Sequence, residues 1–277
     1  MKDIKINTRI DLNNGIKMPL FGLGTYRSRP GKKTYESVSH ALNIGYRLID
    51  TAALYRNEND VGKAVKDSGI PRDEIFVTTK LWNSDHGYSS TLRAFSESLK
   101  KLNLNYIDLY LIHWPVQGLR LESYRALAEI LEKEQCRAIG VSNYTVEHIK
   151  EIVDSDYIIP AVNQVEFSPY TYQKELLGFL NSKNIKLEAY SPLTKGNKLE
   201  DPKLVEIASK YSKTPAQILI RWVLQKDIIV ITKSSHPERI EENANVYNFH
   251  ISSDDMHILD SFDENLRTGW DPTSMIF

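Results

Sequence analysis

Eight short apolar runs punctuate this chain at a nearly regular interval: PLFGLGT, YRLIDTA, EIFVTTK, YIDLYLIH, CRAIGVS, PAVNQVE, IKLEAYS and DIIVITKS. Seven amphipathic stretches lie between them, YESVSHALNIG and SSTLRAFSESLKKL included, and an eighth, PERIEENANV, follows the last run. Most runs return after about 25 to 30 residues, the span of one strand plus one crossover helix. The last gap is longer. It holds two helical stretches, DPKLVEIASKY and TPAQILIRWVLQK, each with a proline near its first turn, where a missing N–H costs nothing. A final helix, SSDDMHILDSF, opens on a serine cap. Ahead of the first run, residues 4–10 and 16–18 flank Asn13-Asn14-Gly15 and predict a small hairpin.

Eight alternating strand–helix units predict an α/β fold: a (β/α)8 TIM barrel with an N-terminal β-hairpin and two extra helices. The 277 residues, 41% of them hydrophobic, suit one large core. No linker or low-complexity tract divides them, so residues 1–277 read as a single domain. The competing architecture is an open doubly wound sheet. Its nucleotide fingerprint is incomplete here: GLGTYR has two glycines correctly spaced, but Arg27 stands where a third would bring helix against strand.

Composition narrows the partners. Lys plus Arg is 35 and Asp plus Glu is 36, a net charge of -1, so no global basic field exists to hold nucleic acid. The one cysteine, Cys136, cannot form an intrachain disulfide, which fits a reducing compartment. The start, MKDIKINTRIDLNNG, has no apolar run of signal-peptide length, and no stretch reaches the ~18 apolar residues that would span a membrane. A soluble, cytoplasmic protein, monomeric and without a membrane partner, is expected.

In a barrel, side chains at the carboxyl ends of the strands share one mouth. Here those ends carry Gly22, Gly24, Thr25 and Tyr26; then Asp50 and, one turn on, Tyr55; then Lys80; then His113. Ser142 and Asn143, Gln164, Tyr190 and Ser191, and Lys233 and Ser234 complete the ring. The first set carries chemistry. A phenol left alone titrates near pH ~10, so a tyrosine that must give up a proton needs an ammonium nearby. Lys80 can supply that charge and lower the phenol's pKa, Asp50 can hold the lysine, and His113 can hold a carbonyl oxygen. Taken singly, the tyrosine could be packing, the Asp–Lys pair a salt bridge and the histidine a turn cap; their joint spacing favours a catalytic site. A metal-dependent hydrolase is disfavoured, because the strand ends supply one histidine and no carboxylate cluster.

The segments GLGTY, YRLIDTAALY with NE following, VTTKLWNSD, YIDLYLIHWP, RAIGVSN, VNQVEFSP, AYSPL and KSSHPERIEEN resemble the aldo-keto reductase family over nearly the whole chain. The closest subgroup is the compact microbial and protist type, similar to prostaglandin F synthase and 2,5-diketogluconate reductase. The resemblance implies NADPH-dependent reduction of aldehydes and ketones, without metal or flavin, on a small-molecule carbonyl substrate. It implies Tyr55 as proton donor, positioned where negative charge develops. The alternative is a nicotinamide-binding regulatory barrel that kept the fold and lost useful turnover.

For NADP(H), the resemblance assigns Gly24 and Thr25, then Ser142, Asn143 and Gln164 around the carboxamide, with the Tyr190 ring under the nicotinamide. Ser191 and Leu193 would line the pyrophosphate path. Lys233, Ser234 and Arg239 flank a helix start at Pro237, a seat for a 2′-phosphate, and Ser235 and Glu238 have capping-box spacing. Glu242 and Asn243 match contacts to the adenosine. Tyr26, Trp82 and Trp114 would wall the substrate cleft, and the short tail ENLRTGWDPTSMIF would close over it. Three positions depart from the family pattern. Arg56 stands where glycine is common and could meet an anionic substrate or simply point to solvent. Thr232 replaces a usual proline and should loosen its strand end. Cys136 replaces an aliphatic residue and reads as core.

Overall fold

The computed structural model describes residues 4–273. Two short antiparallel strands, β1 (Arg9–Asp11) and β2 (Lys17–Pro19), form the N-terminal hairpin, with Arg9 opposite Pro19. The first strand is shorter than expected. Residues before it curl into a turn closed by Thr8, whose side chain accepts from Lys5 N and whose own N–H donates to Lys5 O. The hairpin tip caps the amino-terminal end of the barrel: Asn13 donates to Pro160 O at 2.9 Å and Asn14 to Arg137 O at 2.9 Å.

The eight apolar runs are the eight barrel strands. They are β3 (Phe21–Gly24), β4 (Leu48–Asp50), β5 (Phe76–Leu81), β6 (Ile107–Ile112), β7 (Cys136–Ser142), β8 (Val162–Glu166), β9 (Lys186–Tyr190) and β10 (Ile229–Thr232). Every neighbouring pair is parallel, and β10 closes onto β3. Strands covered on both faces need continuous apolar runs. Accordingly β5 and β6 are buried at every position. The barrel helices are α1 (Lys32–Asn43), α2 (Glu58–Asp67), α3 (Tyr88–Leu102), α4 (Arg120–Glu132), α5 (Val146–Asp154), α6 (Lys174–Ser182), α8 (Pro215–Gln225) and α9 (Pro237–Ala244). The two extra helices are α7 (Pro202–Lys210), before α8, and the final α10 (Ser253–Asp260). Among the described residues no helix is long and apolar enough to cross a membrane.

Local chemistry sets the helix starts. Asp201 caps α7, Ser252 caps α10 through Asp255 N, and Thr214 with Gln217 forms a capping box on α8. The capping box expected at Ser235 and Glu238 does not form. Pro237 is the first helical residue of α9, so His236 is the cap and Ser235 lies one position too early. Ser234 instead accepts from His236 N at 3.1 Å.

Helices α2 and α3 meet at backbone distance. A methyl group on Gly62 would lie 1.8 Å from the Leu102 carbonyl oxygen, so only glycine fits. Gly62→Ala must push the two helices apart. It should cost about 1–3 kcal/mol, the scale of core overpacking. Urea unfolding followed by circular dichroism reads the loss; an unchanged midpoint would show that the helix pair yields freely.

Candidate active site

The site begins with a buried ion pair. Lys80, near the end of β5, is wholly buried, and Nζ donates to Asp50 Oδ1 and Oδ2, both at 2.7 Å, and to Thr51 O at 2.9 Å. An ammonium has three hydrogens, and all three are placed. Lys80 therefore has no hydrogen left for the neighbouring tyrosine. It acts on Tyr55 through its charge alone, with Nζ 5.2 Å from the ring centroid.

Tyr55 sits on a single 3-10 turn, Ala53–Tyr55, directly after β4. The turn ends at Arg56 in the left-handed region, φ 56. There a side chain is strained and glycine is at ease. Arg56 is exposed and is not among the residues that line the cleft, which favours the reading in which it points to solvent. Asn57 braces the same loop from within. It accepts from Thr51 Oγ1 at 2.8 Å and donates to Thr25 O at 3.0 Å. Thr25 is buried and engaged with Asp50 O at 3.1 Å, so its side chain supports the wall from behind.

The phenol of Tyr55 has no hydrogen-bond partner among the described residues. Its pKa lies well above the ordinary value, first through burial and then through the negative charge of Asp50. The expected lowering by Lys80 is not seen. Asp50 embraces the ammonium and offsets its field. His113, following β6, stands edge-on to Tyr55 with ring centroids 5.6 Å apart, and edge-on to Trp82 at 5.3 Å. Burial, then the Lys80 charge, holds its imidazole well below the usual range, so the ring is neutral. A neutral imidazole has one N–H to donate.

These groups open onto a cleft of about 970 Å³ at the carboxyl ends of the strands. Of the twenty residues given a catalytic, cofactor-binding or substrate-wall role from the sequence, all but Thr25 and Lys80 line it. On one side, Tyr190 O–H donates to Asn143 Oδ1 at 2.8 Å, and Asn143 Nδ2 donates to His113 O at 3.0 Å. Asn143 holds the left-handed conformation, φ 63, as does Ser191 at φ 50. Ser142 donates to Gln164 O at 2.8 Å. Gln164 Nε2 reaches Asp50 Oδ2 at 2.8 Å and Glu188 Oε2 at 2.9 Å, which uses both its hydrogens and leaves Oε1 free to accept from a ligand.

At the far end, Lys233 and Ser234 lead into α9, whose N-terminus carries Arg239 in its first turn. Burial, then the charges of Lys33 and Arg27, lowers the Lys233 pKa. Arg27, Lys233 and Arg239 line the cleft near this helix N-terminus, a set that fits a phosphate. The donor set as a whole fits NADP(H): an amide acceptor and an aromatic face near Tyr55, and a basic seat at the other end. Thr232, expected to loosen this strand end, is buried in register opposite Leu23. Cys136 is core, as expected, its thiol pushed up to about 12 by burial.

The tail folds over the cleft. Glu166, at the end of β8, accepts from Thr268 N at 2.8 Å and Gly269 N at 3.0 Å. This latch places Trp270 5.6 Å from Trp114 and 6.5 Å from Trp82, ring to ring. The last four tail residues, Ser274 to Phe277, lie outside the described residues. Sequence reasoning missed Glu166, Glu188, Trp270 and Arg27. The two acids had a signal: strand period two puts Glu166 on the face of Gln164, and Glu188 on the face of Tyr190.

A profile of the Aldo/keto reductase family matches residues 20–264. Glyoxal reductase of Bacillus subtilis (strain 168) is 45% identical over 268 residues, covering 97% of each chain. The 9,11-endoperoxide prostaglandin H2 reductase of Trypanosoma cruzi (strain CL Brener) is 45% identical over 266 residues, 95% of this chain and 94% of that protein. A solved structure of a Gox0644 variant in complex with NADPH superposes with a TM-score of 0.93 at 44% identity, covering 98% of this chain and 99% of that one. The chain belongs to the aldo/keto reductase family of oxidoreductases.

His113 yields a pH prediction. Its folded pKa lies below the ~6.5 of an unfolded histidine, so the native state binds fewer protons than the unfolded chain once pH falls below that value. The stability tied to this group is present above ~6.5 and lost as pH falls toward the folded value. Long-range 15N–1H spectra should show no His113 titration between pH ~6 and ~8. A midpoint near ~6.5 would mean that water reaches the ring.

Proposed function

We propose that this protein reduces aldehydes and ketones to alcohols with NADPH, and that Tyr55 gives the proton. One observation carries the reading: an unengaged phenol and a neutral imidazole line the cleft with ring centroids 5.6 Å apart, beside a saturated Asp50–Lys80 pair. NADPH, bound along the cleft, supplies the hydride. His113 donates to the substrate carbonyl oxygen and orients it. Tyr55 keeps its proton at neutral pH, because burial and Asp50 hold the phenol up. It releases the proton as negative charge develops on that oxygen. Lys80 then faces the tyrosinate as a fixed positive charge. Ser142, Asn143, Gln164 and Tyr190 would hold the nicotinamide end, Ser191 and Leu193 the pyrophosphate, Lys233, Ser234 and Arg239 the 2′-phosphate, and Glu242 and Asn243 the adenosine.

Trp82, Trp114 and Trp270 make the substrate side aromatic, which favours apolar carbonyl compounds. A purely regulatory nicotinamide-binding barrel has no use for a phenol, an imidazole and a buried ion pair around one point. The same reading keeps residues 1–277 as one domain, the chain as a monomer, and its place in the cytoplasm.

Tyr55→Phe should lower kcat for carbonyl reduction by ~10²–10⁴, the scale of general acid catalysis, and leave the NADPH dissociation constant within a few fold. Stopped-flow NADPH oxidation with a panel of aldehydes and ketones measures the first, and tryptophan fluorescence quenching the second. Retention of more than about a tenth of kcat would falsify the proton-donor role.

Arg239→Ala should weaken NADPH binding by about 1.5–3 kcal/mol, one charge-assisted contact, and barely change NADH binding. Titrating both cofactors into the variant decides it. Equal weakening of the two places Arg239 away from the 2′-phosphate.

A further inference from the structure

Glu188 is an acid that the reduction chemistry does not require, yet it is fully buried inside the barrel. It lies on β9, with its side chain on the Tyr190 face. Gln164 Nε2 reaches both Glu188 Oε2 and Asp50 Oδ2, so the two carboxyl groups are held beside one amide nitrogen. The charged and titratable groups around it come from several elements: Asp50 from β4, Tyr55 from the turn after it, and Lys80 from β5.

Counting charges decides its state. Lys80 is the one ammonium in this cluster, and its three hydrogens go to Asp50 and Thr51. None reaches Glu188, and Glu188 Oε1 has no hydrogen-bond partner among the described residues. Two ionised carboxyls sharing a site with one ammonium would leave a buried, uncompensated negative charge. Asp50 holds the ammonium on both oxygens and so keeps the charge. Glu188 is left with the proton.

We propose that Glu188 carries a proton at neutral pH and thereby keeps the buried cluster behind Tyr55 electrically neutral, as a positioning residue for proton donation. This rests on Tyr55 being the donor. In turnover, the phenolic O–H bond breaks, the proton passes to the substrate oxygen, and a tyrosinate remains; Glu188 keeps its own proton throughout. With Glu188 neutral, the cluster goes from no net charge to one negative charge. With Glu188 ionised, it would go from one to two, and the phenol would hold its proton more tightly. The direction agrees with the field at Tyr55, where Glu188 adds to the rise. Burial, then Asp50, pushes the Glu188 carboxyl up to about 8. Proton donation should therefore weaken as pH rises through about 8. The stability consequence has the same sense. A raised folded value gives stability that is present below the unfolded pKa and lost as pH rises through the folded one.

Two measurements on the full-length protein test this. The first is a pH titration with carboxyl-13C glutamate. One glutamate of the wild type should titrate near pH 8, and that resonance should be missing in Glu188→Gln. If no glutamate titrates above pH ~6, well clear of an ordinary glutamate, the proposal is overturned, whether or not the variant folds. The second is single-turnover NADPH oxidation across pH. The alkaline fall in rate should move upward by at least one pH unit in Glu188→Gln. An unmoved limb removes Glu188 from proton donation. The carbon titration needs no turnover, so the charge state of Glu188 is tested even if Tyr55→Phe remains active, and the two readings fail separately.

Discussion

The buried pairing of Lys80 with Asp50 governs this site. Taking an ammonium and a carboxylate out of water is costly, and the attraction between them repays it only when every lone pair and proton finds a partner. Here the ammonium fills all three of its hydrogens, and Asp50 takes a further bond from Gln164. That completeness dictates the surroundings. Tyr55 receives a field rather than a bond. Gln164 has one amide orientation, because its nitrogen must face two carboxyls. Glu188 is excluded from the ammonium.

Such a pair is stable only on a rigid support. Two adjacent parallel strands carry it, Asp50 at the last position of β4 and Lys80 near the end of β5, with Asp50 level with Thr78 across the ladder. The barrel closes around them without an edge, and the hairpin tip blocks the opposite end through Asn13 and Asn14. Tyr55, by contrast, stands on one short turn. That turn is braced from behind by Asn57, which is bound to both Thr25 and Thr51. Tyr55 is thus held by a loop and the charge beneath it by a sheet.

Much of this was legible in the sequence, for physical reasons. Parallel strands buried on both faces read as continuous apolar runs, so all eight were visible, and their ends named the mouth. Asp50, Tyr55, Lys80 and His113 stood out because their chemistries complement one another. What stayed hidden depends on geometry between distant segments. The phenol was expected to be lowered by Lys80, but residue types do not reveal that the ammonium is saturated. Arg56 could have met substrate or solvent on its residue type alone, and only its exposure outside the cleft favours solvent. Ser235 and Glu238 had the right spacing for a capping box, and the helix began one residue late for it. Glu166 and Glu188 were passed over because an acid in a strand usually faces water. Only the alternation with Gln164 and Tyr190 marked them as inward.

The latch on the tail differs in kind from the rest of the cleft. Glu166 grips the peptide N–H groups of Thr268 and Gly269, groups that every residue but proline possesses. The Thr268 hydroxyl also donates to Glu166 Oε1, so the latch combines two main-chain bonds with one side chain of the strap. An exchange at Trp270 leaves these three bonds in place. The pocket's outer wall is interchangeable in a way that its floor is not. Selectivity in this barrel can drift through the wall at Trp270, at little expense to the machinery beneath.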